Sequence, residues 1–113
     1  MGKIYVVGLG PGSTDALTLG AINRINSGSK NFLRTKNHPT IQYFIDNNIS
    51  FKSYDHIYEE EEDFNKVYGK IAEELIEEAK GNTDINYFVP GDPRVAEKTV
   101  EILIERDIEI EIV

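Results

Sequence analysis

Continuous apolar runs alternate along this chain with segments whose apolar residues recur at helical spacing. This pattern predicts an alternation of strands and helices. Nearly continuous apolar runs at residues 3–7 and Ile85–Val89 predict strands that are buried on both faces of a sheet. Apolar residues recur at helical spacing over residues 64–79, where a basic residue and a glycine then favour a helix end. Elements that alternate in this way predict a parallel sheet with helices on its faces.

The segment after the first strand predicts a short helix. Thr18 is a favourable N-cap, and Leu19, Ile22 and Ile25 follow it as the apolar positions. Gly28 could end this helix, because glycine readily adopts the left-handed conformation found just beyond a helix.

Two weaker strands and one further helix are predicted in the middle of the chain. The strands are residues 30–33 and 51–54. Pro39 suits the first position of a helix between them, because its fixed φ and missing N–H cost nothing there. Residues 55–63 are predicted as a loop that leads into the long helix.

The last part of the chain predicts a final helix and a final strand. Asp92 is predicted as the N-cap and Pro93 as the first helical residue. Isoleucine alternates with glutamate over residues 108–112, which predicts a strand with one apolar face. That face could contact the core of the domain, a further domain or a partner subunit. The buried positions of the helix are predicted to be Val95, Ala96, Thr99, Val100, Leu103 and Ile104.

These elements predict an α/β fold with an open, mainly parallel five-stranded sheet and about four helices on its faces. The 113 residues suffice for one domain, spanning residues 1–113, with a modest core. The chain has no cysteine, which excludes disulfides and thiolate metal ligands.

Charge and hydropathy narrow the range of partners. The formal net charge of −8 argues against nucleic-acid binding over a broad surface, although a small anion could still occupy a local pocket. No apolar run approaches the roughly 20 residues of a membrane helix. The N-terminus leads straight into a strand without the pattern of a signal peptide. We therefore expect a cytoplasmic protein with no membrane partner.

Closely spaced glycines at the end of the first strand are the strongest chemical signal. Gly8, Gly10 and Gly12, with Pro11 among them, would bring bare backbone close to a ligand. A dinucleotide-binding fingerprint would need glycine at position 13, where this chain has Ser13. It would also need an acidic residue at the end of the second strand, where this chain has Arg34. No Gly-Lys-Ser/Thr follows, so a Walker loop is excluded. The alternative is a tight strand-to-helix connection without a ligand.

A second turn, formed by Pro90, Gly91, Asp92 and Pro93, ends the fourth strand. Ligands of open parallel sheets lie beyond the carboxyl ends of the strands, so both turns are predicted to line one crevice. Gly91 would let a ligand approach the backbone, and Asp92 would accept hydrogen bonds. The alternative is a helix start with no further role.

The two turns resemble the two signatures of the tetrapyrrole (corrin/porphyrin) methylase family. Residues 7–19, Val-Gly-Leu-Gly-Pro-Gly-Ser-Thr-Asp-Ala-Leu-Thr-Leu, are similar to the opening motif, and residues 91–93 are similar to the second. Residues 34–39 and 89–100 look most like the branch in which this module is fused to a MazG-type nucleoside triphosphate pyrophosphohydrolase. The resemblance covers the whole chain.

The resemblance implies a transferase that moves a methyl group from S-adenosylmethionine to a tetrapyrrole carbon, in a cleft between two α/β domains. Methyl transfer needs mainly an in-line approach in a shaped, dry cleft, so no acid–base pair is required of this sequence, and the catalytic residues are left open. The resemblance assigns one turn to each side of the cleft: Gly8, Gly10, Pro11 and Gly12 to the substrate, and Gly91, Asp92 and Pro93 to the cofactor.

Family members are roughly twice as long or longer, in line with two domains of ordinary size. The chain is therefore expected to be the N-terminal half of a two-domain module and to be inactive alone. Its expected partners are the missing C-terminal methylase domain, a small-molecule substrate, a fused pyrophosphohydrolase domain and a second copy in a homodimer. Two departures bear on the substrate: Ser13 replaces a common acidic residue, and Arg94-Val95 replaces apolar and aromatic residues.

Two alternatives to a methyltransferase are kept open. One is a non-catalytic module that binds a ligand and regulates a fused pyrophosphohydrolase. The weaker one is a nicotinamide-binding domain, which Ser13 and Arg34 disfavour. His38 and His56 have no neighbours at metal-ligand spacing and are predicted as loop or capping residues. The acidic run at residues 59–63 is predicted as a solvated helix start, and no metal site is predicted.

Overall fold

The computed structural model describes residues 1–94 and 97–113. Its strands are β1 (Ile4–Gly8), β2 (Lys30–Leu33), β3 (Lys52–Ser53), β4 (Ile85–Val89) and β5 (Ile110–Ile112). They form one sheet in the order β3-β2-β4-β1-β5, and the pairings between these strands are all parallel. The predicted α/β fold with an open five-stranded sheet is confirmed.

The helices are α1 (Leu19–Ile25), α2 (Ile41–Asp46), α3 (Asp55–Glu60), α4 (Phe64–Glu78) and α5 (Lys98–Glu105). A single 3₁₀ turn, Thr14–Ala16, precedes α1. The described residues thus contain one α-helix more than the four that were predicted, and the additional helix is α3. No helix among them is both long and apolar enough to span a membrane.

The centre of the sheet is the pair β1 and β4, whose residues run in register from Ile4 opposite Ile85 to Gly8 opposite Val89. Every residue of β4 is buried, as its continuous apolar sequence predicts. Apolar side chains from α3, α4 and α5 cover one face of the sheet, and those from α1 and α2 cover the other. This two-sided burial fixes β1 and β4, and so fixes where their carboxyl ends lie.

Helix α1 begins as predicted but turns a different face to the core. The Oγ1 of Thr18 accepts a hydrogen bond from the Ala21 N–H at 3.0 Å, which confirms the N-cap. Leu19 is 80% exposed, so its prediction as a core position is wrong. The buried stripe has four-residue spacing, starts before the cap, and consists of Leu17, Ala21 and Ile25.

The predicted start of the last helix is wrong. Asp92 is not an N-cap and Pro93 is not helical, because α5 begins only at Lys98. The Oδ1 of Asp92 accepts a hydrogen bond from the Arg94 N–H at 2.9 Å. This bond closes a turn between residues 92 and 94 where a helix start was predicted. Of the positions predicted to be buried, Thr99, Val100 and Leu103 are buried, Ile104 is 56% exposed, and Val95 and Ala96 lie outside the described residues.

The middle of the chain differs from the prediction in two places. Pro39 precedes α2 by two residues, because the carbonyls of His38 and Pro39 accept from Ile41 and Gln42 in a preceding turn. Helix α3 lies within the segment that was predicted as a loop. The acidic run is therefore not one helix start: it spans the end of α3 and reaches Asp63, whose Oδ1 accepts from the N–H of Asn65 as the N-cap of α4.

Strand β5 lies at one edge of the sheet, beside β1. Ile108 and Ile110 pack partly against the core on the α3–α5 side, whereas Ile112 is 39% exposed. Val113 continues the pairing, since its N–H donates to the carbonyl of Val6 at 2.9 Å. The core therefore covers the apolar face of this strand only in part.

Candidate functional site

The two glycine turns meet at the carboxyl edge of the sheet. Gly10 and Gly91 exchange a pair of backbone hydrogen bonds, with N–O distances of 3.2 Å and 3.0 Å. The parallel strands β1 and β4 thus continue into a short antiparallel contact between the turns that follow them. Both turns therefore lie together at one edge of the sheet, as their positions after two parallel strands predict.

Gly8 is the point at which one turn packs against the other. A Cβ at this position would lie 2.6 Å from the carbonyl oxygen of Gly91 and 2.8 Å from the Cδ of Pro93. Neither atom can move aside without moving backbone or ring. Glycine at position 8 is thus required for the two turns to touch.

Gly91 differs from Gly8 in that its surroundings are open. Its φ is +69°, and a Cβ would meet no atom within 4 Å. Gly10 also has a left-handed φ, of +71°. Positive φ at two facing glycines lets bare backbone line the space between the turns.

A cleft of about 210 Å³ lies between the turns. This volume is below the roughly 300–1,000 Å³ typical of small-molecule sites. Of the predicted site residues, Gly8, Gly10, Gly91, Asp92 and Pro93 line it, with Thr18, Arg94 and Val113 at other points of its wall. Pro11 and Gly12 are not part of its lining. Gly12 lies instead beside Pro39 and His38, whose nearest atoms are 3.7 Å and 4.0 Å from where its Cβ would be.

Asp92 is the acidic side chain of the cleft wall. The Nε and Nη2 of Arg94 donate to its two carboxylate oxygens, each at 3.0 Å. These hydrogen bonds, together with the one from the Arg94 N–H, lower the pKa of Asp92 below its usual value. Asp92 is therefore ionised at neutral pH and still exposed enough to accept further hydrogen bonds.

Sequence reasoning missed the part that the loop after β2 plays at this site. His38 was predicted as a loop or capping residue, but its Nε2 lies 3.3 Å from the carbonyl oxygen of Gly10. The sequence holds no local pattern that would indicate this contact, because β4 separates β2 from β1 in the sheet. Proximity between residues 38 and 10 follows from strand order, not from any local pattern.

The same loop carries a buried ion pair. The Nη1 of Arg34 donates to the Oε2 of Glu97 at 2.8 Å, which joins the end of β2 to the start of α5. The Glu97 side chain is 4% exposed and that of Arg34 28%. Burial raises the pKa of Glu97, and the guanidinium of Arg34 opposes this rise. Among the described residues no donor pairs with the second carboxylate oxygen of Glu97.

A larger groove, of about 450 Å³, lies between α3 and α4 and has no contact with the glycine turns. It is lined mainly by glutamates, with His56 and Lys70. Within residues 1–94 and 97–113, no three His, Asp or Glu side chains come together as a metal site would require. The cleft at the turns offers backbone groups and the paired side chains of Asp92 and Arg94, which suits binding and orientation of a ligand.

The sequence of this chain matches a family model and one curated protein. Residues 3–113 match the family model described as Tetrapyrrole (Corrin/Porphyrin) Methylases. The chain is also 44% identical, over 105 residues, to the uncharacterized protein YabN of Bacillus subtilis (strain 168). That alignment covers 93% of this chain and 21% of YabN.

Solved structures share the fold. One is a putative cobalamin synthesis related protein (CobF) from Corynebacterium diphtheriae, with a TM-score of 0.64 and 21% identity over 100% of this chain and 53% of that one. Another is uroporphyrin-III C-methyl transferase from Thermus thermophilus complexed with S-adenyl homocysteine, with a TM-score of 0.60 and 21% identity over 99% and 44%. The chain thus spans about half of these structures and about a fifth of YabN.

Proposed function

The chain belongs to the tetrapyrrole (corrin/porphyrin) methylase family, and on this basis we propose that it is the N-terminal domain of an S-adenosylmethionine-dependent methyltransferase. The cleft between the two glycine turns is its part of the ligand site, in which Gly91, Asp92 and Pro93 face the cofactor and the first turn, which touches them, faces the substrate. The observation that carries this proposal is the paired contact between Gly10 and Gly91, which holds the two turns together while the space beside the Cα of Gly91 stays open.

The groups at this edge of the sheet fit the cofactor. S-adenosylmethionine carries hydroxyl and ammonium groups that can donate to the ionised Asp92, and a carboxylate that can accept from backbone N–H groups. The cofactor supplies an activated methyl group on its sulfonium. The turns would bind and orient it while Gly91 permits close approach.

The small volume of the cleft supports a second domain as its other wall. A space of about 210 Å³ holds only part of a ligand of this size. The chain also covers only 44–53% of the solved structures that share its fold. We propose that a C-terminal domain completes the site and that the isolated chain has no methyltransferase activity.

The length of YabN supports the proposal that the protein containing this chain has a further domain beyond the methylase module. This chain covers 21% of YabN but 44–53% of the solved structures, so YabN is about twice as long as they are. This excess fits the resemblance of residues 34–39 and 89–100 to the branch fused with a pyrophosphohydrolase. A regulatory role in such a fusion is the second candidate, and it predicts ligand binding without methyl transfer.

Gly91→Ala should weaken binding of S-adenosylmethionine by at least tenfold, measured by titration calorimetry on the full-length gene product. The added methyl group would occupy the space that the cofactor needs, although nothing in the protein obstructs it. Gly81→Ala is the matched control, because Gly81 has a φ of +73° and equally open surroundings far from the cleft. Both substitutions should cost about 1–2 kcal/mol of stability through backbone strain.

Equal affinities in the two variants would place the cofactor elsewhere. No saturable heat from the unmodified full-length protein would reject the cofactor assignment altogether. Binding by the full-length protein that the 113-residue chain lacks would support the two-domain site.

A further inference from the structure

We propose that His38 is a positioning residue that holds the first glycine turn in the arrangement that binds a ligand. The inference rests on the function proposed above for the cleft. His38 lies in the loop after β2, outside both glycine turns.

The carbonyl oxygen of Gly10 is the atom through which His38 acts. It accepts from the Gly91 N–H at 3.0 Å and lies 3.3 Å from the Nε2 of His38. A carbonyl oxygen has two lone pairs, so these two donors use its full capacity. One oxygen thereby ties the first turn to the second turn and to the loop after β2.

The contacts of the other ring nitrogen fix the direction of this hydrogen bond. The Nδ1 of His38 lies 2.7 Å from the Oγ1 of Thr40 and 3.4 Å from the Thr40 backbone nitrogen, whose N–H points to it as a donor. A nitrogen that accepts from an N–H carries no proton of its own, which assigns the ring proton to Nε2, and the Gly10 carbonyl can only accept. His38 therefore donates to Gly10. Thr40 is fully buried, which holds the ring in this orientation.

The loop that carries His38 is itself anchored at several points. Arg34 pairs with the buried Glu97, as described above. The hydroxyl of Thr35 donates to Asp55 at 2.6 Å, and the Lys36 N–H donates to the other carboxylate oxygen at 2.9 Å. Because these contacts tie the loop to α3 and to the start of α5, the loop can hold the first glycine turn in place.

The first turn depends on such an outside contact. Gly10 and Gly12 have positive φ values of +71° and +123°, and Pro11 between them has no N–H to donate. Glycine loses more conformational freedom on ordering than any other residue. A turn left mobile would have to be ordered by the ligand, and binding would weaken accordingly. His38 supplies this order in advance.

The test compares His38→Ala with His38→Gln. His38→Ala should weaken binding of S-adenosylmethionine to the full-length protein about tenfold, and it should lower the ¹⁵N order parameter of Gly12 in the ligand-free 113-residue chain. His38→Gln keeps an N–H donor of similar reach, so it should stay within about threefold of the unmodified affinity and keep Gly12 ordered. His56→Ala, on the solvent side of α3, is the control and should change neither quantity.

An unchanged Gly12 order parameter in His38→Ala, or a glutamine variant as impaired as the alanine variant, would overturn the inference. Detection of the Nδ1-protonated tautomer by ¹⁵N spectroscopy of the imidazole would overturn it as well. Failure of the unmodified protein to bind S-adenosylmethionine would reject the proposed function, while the Gly12 measurement would still decide the role of His38.

Discussion

Arg34→Met should destabilise the fold by about 3 kcal/mol, measured by denaturant unfolding at pH 8. Removal of one partner of a buried ion pair typically costs about 3–5 kcal/mol, because the remaining charge stays buried. Glu97 would be that charge, and its second oxygen has no donor among the described residues. We expect the lower end of the range, since the Arg34 side chain is partly exposed.

The loss should depend on pH in a defined direction. Burial raises the pKa of Glu97 in the fold above its ordinary value of 4.5, so between these two values the folded state binds more protons than the unfolded state. The contribution of Glu97 to stability is therefore fully present below pH 4.5 and is lost as the pH rises through its folded pKa. Removal of Arg34 raises that pKa further. The loss caused by Arg34→Met should thus be smaller at pH 5 than at pH 8.

A double variant isolates the charge as the cause. Adding Glu97→Gln to Arg34→Met removes the unpaired charge and should restore more than half of the lost stability. Arg94→Met is the control, because the Arg94–Asp92 pair is exposed and its loss should leave the unfolding midpoint unchanged. A double variant no more stable than Arg34→Met would show that the ion pair is not what the fold depends on here.

Gly8→Ala should destabilise the chain by about 3 kcal/mol and also separate the two turns. The new Cβ would overlap the Gly91 carbonyl and the Pro93 ring, neither of which can rotate away. Overpacking of this kind costs typically about 1–3 kcal/mol, and contact with a backbone carbonyl and a rigid ring favours the upper end. Thermal unfolding measures the loss, and the exchange rate of the Gly91 N–H, which pairs with Gly10, reports the separation of the turns.

Gly69→Ala is the matched control for this substitution. Gly69 lies inside α4, and a Cβ there meets no atom within 4 Å. Alanine should stabilise that helix by up to about 1 kcal/mol through its higher propensity. A Gly8→Ala variant as stable as the unmodified chain would mean that the two turns do not touch as closely as this geometry requires.

The central elements of the fold were accessible from the sequence. The continuous apolar run of β4, buried at every position, and the long amphipathic pattern of α4 each leave little choice of structure. Helix α3 was missed because only Ile57 of its six residues is buried, so it has no hydrophobic period to detect. The start of α5 was misplaced because an Asp-Pro pair signals a helix start and a turn equally well.

The site was accessible only in part. Glycine spacing identified the first turn, the run Pro-Gly-Asp-Pro identified the second, and the rule for parallel sheets placed them on one edge. The clash that makes Gly8 obligatory, and the donation from His38 to Gly10, depend on which strands are neighbours. No local signal encodes the order β3-β2-β4-β1-β5. The partner of Arg34 was hidden for the same reason, since Glu97 follows it by 63 residues.

A crystal structure of the full-length gene product with S-adenosylhomocysteine would test most directly whether the paired glycine turns form the cofactor site. We expect the ligand to contact the backbone of Gly91 and the side chain of Asp92, with a second domain closing the cleft opposite them. A ligand bound in the acidic groove between α3 and α4, or at any site without contact to either turn, would contradict the account.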